Sequence, residues 1–370
     1  MDPIIAATHA DPYPYYAQLR AEGGLVFHQG LKLWVASSAA TVAAVLAHPD
    51  CHVRPAGEPV PKTIVEGLAG EVFGRLMRMN EGERQRCPRS AIEPGLALID
   101  PAEIQALVSA RLITPDAEGL SKAMFYSPVC VVATLLGFSP AQTRVVNELT
   151  ADFVACLSPL STRPQLDRAH EAAEQLRGYF FELLDDPDVH SPLLNGIKQR
   201  FASSDNEMLI ANLIGLCSQT YEATAGLIGN ALVALIRDPL LLGDVDEFLA
   251  EVQRLDPSVQ NTRRFVAAPC EIDGISLNPG DTILVLLASA NRDPQLNELP
   301  DTFLVDRPNR RSFTFGAGRH QCPGQTLALS IASATLRQIL AMKPDFGCLT
   351  WHYRPSLNGR IPMFVEAQNT

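Results

Sequence analysis

No stretch of this 370-residue chain reaches the roughly 18 apolar residues that a membrane-spanning helix needs. The longest candidate, residues 282–288, is far too short, so no membrane association is expected. The N-terminal stretch holds neither a basic segment nor a long apolar one, which argues against a signal peptide and points to the cytoplasm. Paired cysteines are missing too. The eight cysteines stand at 51, 87, 130, 156, 217, 270, 322 and 348, and no CxxC pair occurs. In a reducing compartment seven of them read as free thiols, most of them buried small hydrophobes; Cys322 needs a different account. No cysteine set has iron–sulfur spacing and no GxGxxG opens a βαβ unit, so these residues hold no electron-transfer domain. An excess of positive charge is also absent. The formal net charge of -11 argues against general nucleic-acid binding. What is present, 46% hydrophobic and 19% charged residues, suits a large packed core.

No internal repeat and no low-complexity linker divides the chain, and a single domain over residues 1–370 is expected. Residues 11–22 read as a short amphipathic helix and residues 25–36 as a hairpin turning at Gly30. Residues 50–75, rich in proline and glycine, read as loop. Helical patterns fill residues 102–200, with breaks at Pro140, Pro159 and Pro187. A long apolar-rich helix is expected over residues 206–236, roughly 45 Å in length, ended by Asp238-Pro239. A helix over residues 244–255 follows, then short strands over 264–285 with turns at Asp273-Gly274 and Pro279-Gly280. Residues 291–314 read as irregular, and a last long helix starts just after Cys322. The whole reads as mainly helical with a minor β-sheet.

The strongest local signal lies at residues 315–324, Phe-Gly-Ala-Gly-Arg-His-Gln-Cys-Pro-Gly. Gly316 and Gly318 permit a tight turn with positive φ. Cys322 then sits directly before a helix, with Pro323 suited to its first turn. A thiol at the positive end of a helix is expected to have a lowered pKa and to serve as nucleophile or metal ligand. Gly324 lets a flat partner lie against the backbone.

This segment resembles the haem-binding signature of the cytochrome P450 family at every defined position: Phe315, Gly316, Gly318, His320, Cys322, Pro323 and Gly324. Other segments agree. Glu251 and Arg254 match the family's ExxR, a pair three apart on one helix face. The stretch to residue 294 resembles the family's continuation, with Arg264 at the position of an arginine that grips a haem propionate. From Met79 the sequence resembles the family's His-x-x-x-Arg helix, with Gln85 at the histidine position and Arg89 at the arginine. Gln85 and Pro88 depart from the pattern, so an irregular helix is expected there. The resemblance covers residues 11–345 and is thin from 95 to 205.

The resemblance implies the P450 fold, with a long central helix over a haem b and a cysteine loop beneath it. It implies Cys322 as proximal iron ligand, Phe315 packed beside it, and Gly316 and Gly324 shaping the haem bed. His320, Arg264 and Arg89 become propionate contacts, Arg89 beside Gln85. On the long helix the alignment places Glu222 at the usual acid, Ala223 where a threonine normally serves oxygen activation, and Thr220 at a usual glycine. Alanine has no hydroxyl, so proton delivery falls to Thr220, Thr224, Glu222 or a water. Thr302 stands where relatives carry an arginine that completes the ExxR network, and Arg307 is a substitute.

The function so implied is a monooxygenase-like oxidoreductase acting on a small or medium organic molecule in bacterial secondary or catabolic metabolism, with ferredoxin or flavodoxin and its reductase as electron source and the protein a monomer. A P450-fold enzyme outside the ordinary dioxygen cycle (peroxide-driven, dehydratase or isomerase) is the alternative that Ala223 raises. A non-catalytic haem-binding recruitment or sensor protein is a third reading. Arg84, Arg86, Arg89, Arg307, Arg310, Arg311 and Arg319 are the candidate docking patch for an acidic electron donor. The substrate pocket is expected between the long helix, the loop at 55–75, the segment 150–200, and Val266-Ala267.

Overall fold

The helix Asn206–Arg237 runs 32 residues, about 48 Å at 1.5 Å per residue, and the other layers pack on it. Its start is fixed by Asp205, whose side chain accepts from Met208 N–H at 3.0 Å. Glu207 lies in the first turn and Arg237 in the last, each matched to the helix dipole. It stops at Asp238, extended ahead of Pro239. The computed structural model describes residues 1–367.

Helices dominate and three small sheets complete the fold, as the pattern implies. The strands are β1 (Leu25–His28), β2 (Leu33–Ala36), β3 (Cys51–His52), β4 (Thr262–Val266), β5 (Cys270–Ile272), β6 (Ile275–Leu277), β7 (Thr282–Val285), β8 (Leu349–Tyr353) and β9 (Pro362–Glu366). The main sheet has the order β1-β2-β7-β4-β3. Its β2–β7 pair is parallel and its other pairs antiparallel. The hairpin at 25–36, the strands of 262–285 and the helices Tyr13–Glu22 and Val245–Leu255 lie where the sequence puts them.

Three expectations need correction. Pro140 opens a helix instead of breaking one. Ser139 caps Pro140–Phe153 reciprocally with Gln142, and the proline takes the first turn, where its missing N–H costs nothing. Residues 50–75 are not all loop, since β3 and the helix Leu68–Arg75 lie within them. Glycines disguise that helix: a Cβ on Gly70 would stand 2.1 Å from the Ile64 carbonyl oxygen, so close packing demands glycine there. Third, the helix Ala117–Leu136 is long and apolar enough to cross a membrane by length and composition, although polar residues interrupt its apolar run. In the structure 67% of its most apolar window is buried inside the protein.

The approach to the cysteine loop is held by a buried ion network. Glu251, with no exposed surface, accepts from Arg254 at 2.7 and 3.0 Å, from Arg307 at 2.9 Å, from Arg310 at 3.1 Å and from Leu304 N–H at 3.2 Å. Arg307 thus fills the place left by Thr302, whose carbonyl accepts from Arg307 at 2.7 Å and Arg254 at 3.3 Å. Burial pushes the Glu251 carboxyl up, but Arg254 and Arg307 outweigh it and hold it below the ordinary value. Removing the carboxylate strands buried guanidinium groups. Glu251→Ala is therefore expected to lower stability by about 3–5 kcal/mol. Arg310→Ala, which removes one donor but leaves Arg254 and Arg307 on the carboxylate, is expected to cost less, about 1–2 kcal/mol. Denaturant unfolding of the two variants checks this, and similar losses in both would contradict the ranking.

Candidate functional site

Gly316 and Gly318 adopt φ of +71° and +69°, and a Cβ on Gly318 would press on the Leu46 carbonyl at 3.0 Å. Both glycines are required by the turn. It returns Cys322 beside Phe315, whose carbonyl accepts from Cys322 N–H at 2.8 Å. The following helix is Gln325–Ala341, capped by Gly324, so Pro323 precedes the helix and is not in its first turn. The thiol does not have the expected lowered pKa. Burial pushes it up, and the Gly324 N–H, Arg89 and Arg78 only partly oppose this.

Above Cys322 lies a cavity of about 450 Å³. The long helix contributes Thr220, Ala223 and Thr224 to its wall, and β4 contributes Arg263 and Arg264. A Cβ on Gly324 would touch nothing closer than 3.9 Å, so a flat partner has room against that backbone. Arg264 is 5% exposed, and its Nε has no hydrogen-bond partner. Its other donors reach only the Arg263 carbonyl at 2.8 Å and Thr262 Oγ1 at 3.4 Å. Burial lowers its pKa to about 10. A buried guanidinium with donors to spare, facing a cavity that a thiol also lines, fits a planar group bearing carboxylates and a soft metal.

The other expected propionate contacts are engaged elsewhere. Arg89 grips Glu93 at 2.7 and 2.9 Å and donates to the Gln321 carbonyl at 2.6 Å. Gln85 donates to the Arg319 carbonyl at 2.8 Å. His320 Nε2 lies 3.0 Å from Glu81, which also accepts from Arg319 at 2.9 Å. These three side chains clamp the cysteine loop from beneath. All three line the cavity, while Arg84 is exposed. The helix, Glu83–Leu96, runs unbroken through Pro88 and Pro94, contrary to the irregularity expected.

On the long helix, Thr220 Oγ1 donates to the Leu216 carbonyl at 2.8 Å, and Thr224 Oγ1 is buried without a partner. Glu222 is not on the cavity wall and pairs with Arg354 at 3.3 Å. Desolvation raises its carboxyl, with Arg354 and Arg78 opposing.

The expected pocket wall is wrong in part. Residues 55–75, 150–200 and Val266-Ala267 do not line the cavity. Several face the core instead, among them Phe73, Phe153 and Val266. Arg54, the turn Met77–Met79, residues 261–265 and Asn358 take their place. The arginine patch shrinks as well. Arg307 and Arg310 serve Glu251, Arg89 serves Glu93, and Arg319 serves Glu81. Arg84, Arg86 and Arg311 remain exposed.

A mainly helical fold whose longest helix walls a cavity opposite a glycine-shaped cysteine loop is that of a haem-thiolate oxidoreductase. The family model "Cytochrome P450" matches residues 244–342. The chain is 28% identical to the cytochrome P450 monooxygenase PikC of Streptomyces venezuelae, over 95% of this chain and 89% of that protein. In fold it is similar to P450BioI in complex with an acyl carrier protein (TM-score 0.80, 22% identity, 95% and 97% covered). It is likewise similar to P450 RauA (TM-score 0.81, 22% identity, 99% and 97% covered). The chain belongs to the cytochrome P450 family. Its class of chemistry is haem-thiolate oxidation of organic molecules.

The Glu81 cluster gives a pH signature. Burial raises the Glu81 carboxyl, but hydrogen bonds from His320 and Arg319 prevail and hold it at about 2, against 4.5 for a free glutamate. A carboxyl lowered by folding stabilises above its unfolded value and loses that stabilisation as pH falls. The site is therefore expected to contribute about 2–3 kcal/mol near neutrality, lost between pH 4.5 and about 2. Urea unfolding across that range checks it: Glu81→Gln should flatten this part of the wild-type profile, and an unchanged slope would contradict the assignment.

Proposed function

We propose that the protein, as one domain and a monomer, monooxygenates a small or medium organic molecule with electrons from a separate ferredoxin or flavodoxin system. The observation that carries this reading is that Cys322 lines the same cavity as Thr220, Ala223 and Thr224. When bound, the haem supplies oxygen activation and one-electron chemistry, with thiolate ligation favouring O–O cleavage. Cys322 is the side chain that would hold it, and the spare donors of Arg264 would take one of its carboxylates. Gln85, Arg89 and His320 support the loop that presents the thiol. Substrates of the relatives differ: P450BioI is described with an acyl carrier protein carrying hexadec-9Z-enoic acid, and a Streptomyces fradiae relative as a 20-oxo-5-O-mycaminosyltylactone 23-monooxygenase.

A second reading rests on the long helix. Ala223 offers no hydroxyl, Thr220 is spent on its own helix, and Glu222 is engaged by Arg354. Thr224, buried and without a partner, is the one hydroxyl there free to hold a proton or a water. That arrangement favours peroxide-driven or non-oxygenating use of the same site.

Two measurements are decisive. Cys322→Ala is expected to lose the shifted carbon-monoxide band of the reduced protein that reports thiolate ligation, and a variant that kept it would end the assignment. Coupling of reductant consumption to product should improve in Ala223→Thr under dioxygen, with less hydrogen peroxide released. No gain under dioxygen, with efficient turnover by peroxide alone, would favour the second reading.

A further inference from the structure

We propose that the substrate carries a carboxylate and that Arg78 is the side chain that recognises it; this rests on the reading of the cavity as a haem-thiolate active site. The cavity wall contains five arginines, at 54, 78, 89, 263 and 264, and among the described residues no aspartate or glutamate. Four of the five do not bear equally on a ligand. Arg89 is neutralised by Glu93. The unspent donors of Arg264 match a carboxylate of the haem. Arg54 donates to the carbonyls of Glu58 and Pro59 and leans on the rings of Phe73 and Phe265. Arg263, on β4, has no opposing charge, and burial alone lowers its pKa.

Arg78 differs in its setting. Like Arg263 it has no hydrogen-bonded or ion-paired side-chain partner among the described residues, but unlike Arg263 it is reached by the fields of Cys322 and Glu222. It lines the cavity, and more than a third of its surface is accessible. Glu222 does not satisfy it, being paired with Arg354.

Its backbone is held on both sides. Asn212, from the long helix, accepts from Met77 N–H at 2.7 Å and donates to the Arg75 carbonyl at 2.9 Å. Asn80 donates to the carbonyls of Gly74 and Leu76 at 2.9 and 2.8 Å. The turn Met77–Met79 therefore presents a cation at a fixed place. A guanidinium on a cavity wall without a counter-charge keeps its donors free for an anionic ligand. A carboxylate matches its fork through two parallel hydrogen bonds, and exclusion of water strengthens the pair. Elsewhere on the wall Val132, Leu216 and Leu227 are apolar, which suits a ligand whose remainder is a hydrocarbon body.

The test uses the haem-loaded protein, whose carbon-monoxide band first reports whether the haem-thiolate reading stands. A series of straight-chain and aromatic carboxylates, each with its matching primary alcohol, is then titrated by calorimetry and by the haem difference spectrum. The best carboxylate is expected to bind about tenfold or more tightly than its alcohol. Arg78→Gln is expected to remove that preference while leaving alcohol affinity and haem content unchanged. Three results would overturn the proposal: no carboxylate preference anywhere in the series, a preference that survives Arg78→Gln, or loss of haem in Arg78→Gln, which would make Arg78 a partner of the haem itself. Absence of the thiolate band with an intact carboxylate preference would overturn the active-site reading alone.

Discussion

A carboxylate with no access to water must be surrounded by donors, and Glu251 obtains them from three arginines and a backbone N–H. The consequences travel outward. Arg254 also donates to the carbonyl of Asn291 at 3.2 Å. The Asn291 side chain accepts from Phe313 N–H at 2.6 Å and donates to Thr314 at 2.9 Å. Phe313 accepts from Gly316 N–H at 2.7 Å. A continuous chain of hydrogen bonds thus leads from one buried charge to the turn that presents Cys322. The thiol's position depends on this network as much as on the glycines beside it.

The other side of the loop is held by the mirror device, a half-buried carboxylate. Glu81 ties together Arg319 and His320, and Arg319 anchors the loop to the carbonyls of His48 and Cys51 at 2.8 and 3.1 Å. Two acids, one at each flank, convert arginines that look like surface charge in the sequence into internal struts. The positive groups left open on the cavity side are then few, and their lack of acidic neighbours gives the cavity its electrostatic character.

What was legible in the sequence was legible for physical reasons. Residues 315–324 combine two positive-φ glycines with a soft metal donor, a combination with few other uses. The substitution of Arg307 for the missing arginine at 302 could be read because the polar stretch around it offers a guanidinium close by. Less legible was anything decided by distance in space. Arg310 and Arg319 share the composition of Arg84 and Arg86 but meet carboxylates from remote segments. Arg78 lies in an apolar turn whose inward direction no periodicity reports. The lowered thiol pKa failed because Gly324 delays the helix and desolvation prevails.

The parallel pairing of β2 with β7 joins residues 34–36 to residues 283–285. Such a contact closes a loop of about 250 residues, and parallel, non-local pairing is slow to form. During synthesis the hairpin β1–β2 emerges early, and its β2 edge waits unpaired until β7, at residues 282–285 of 370, has been made. An unpaired edge formed by four consecutive apolar residues, Leu33 to Ala36, invites pairing with other chains. Expression yield, more than stability once folded, is the property this topology puts at risk.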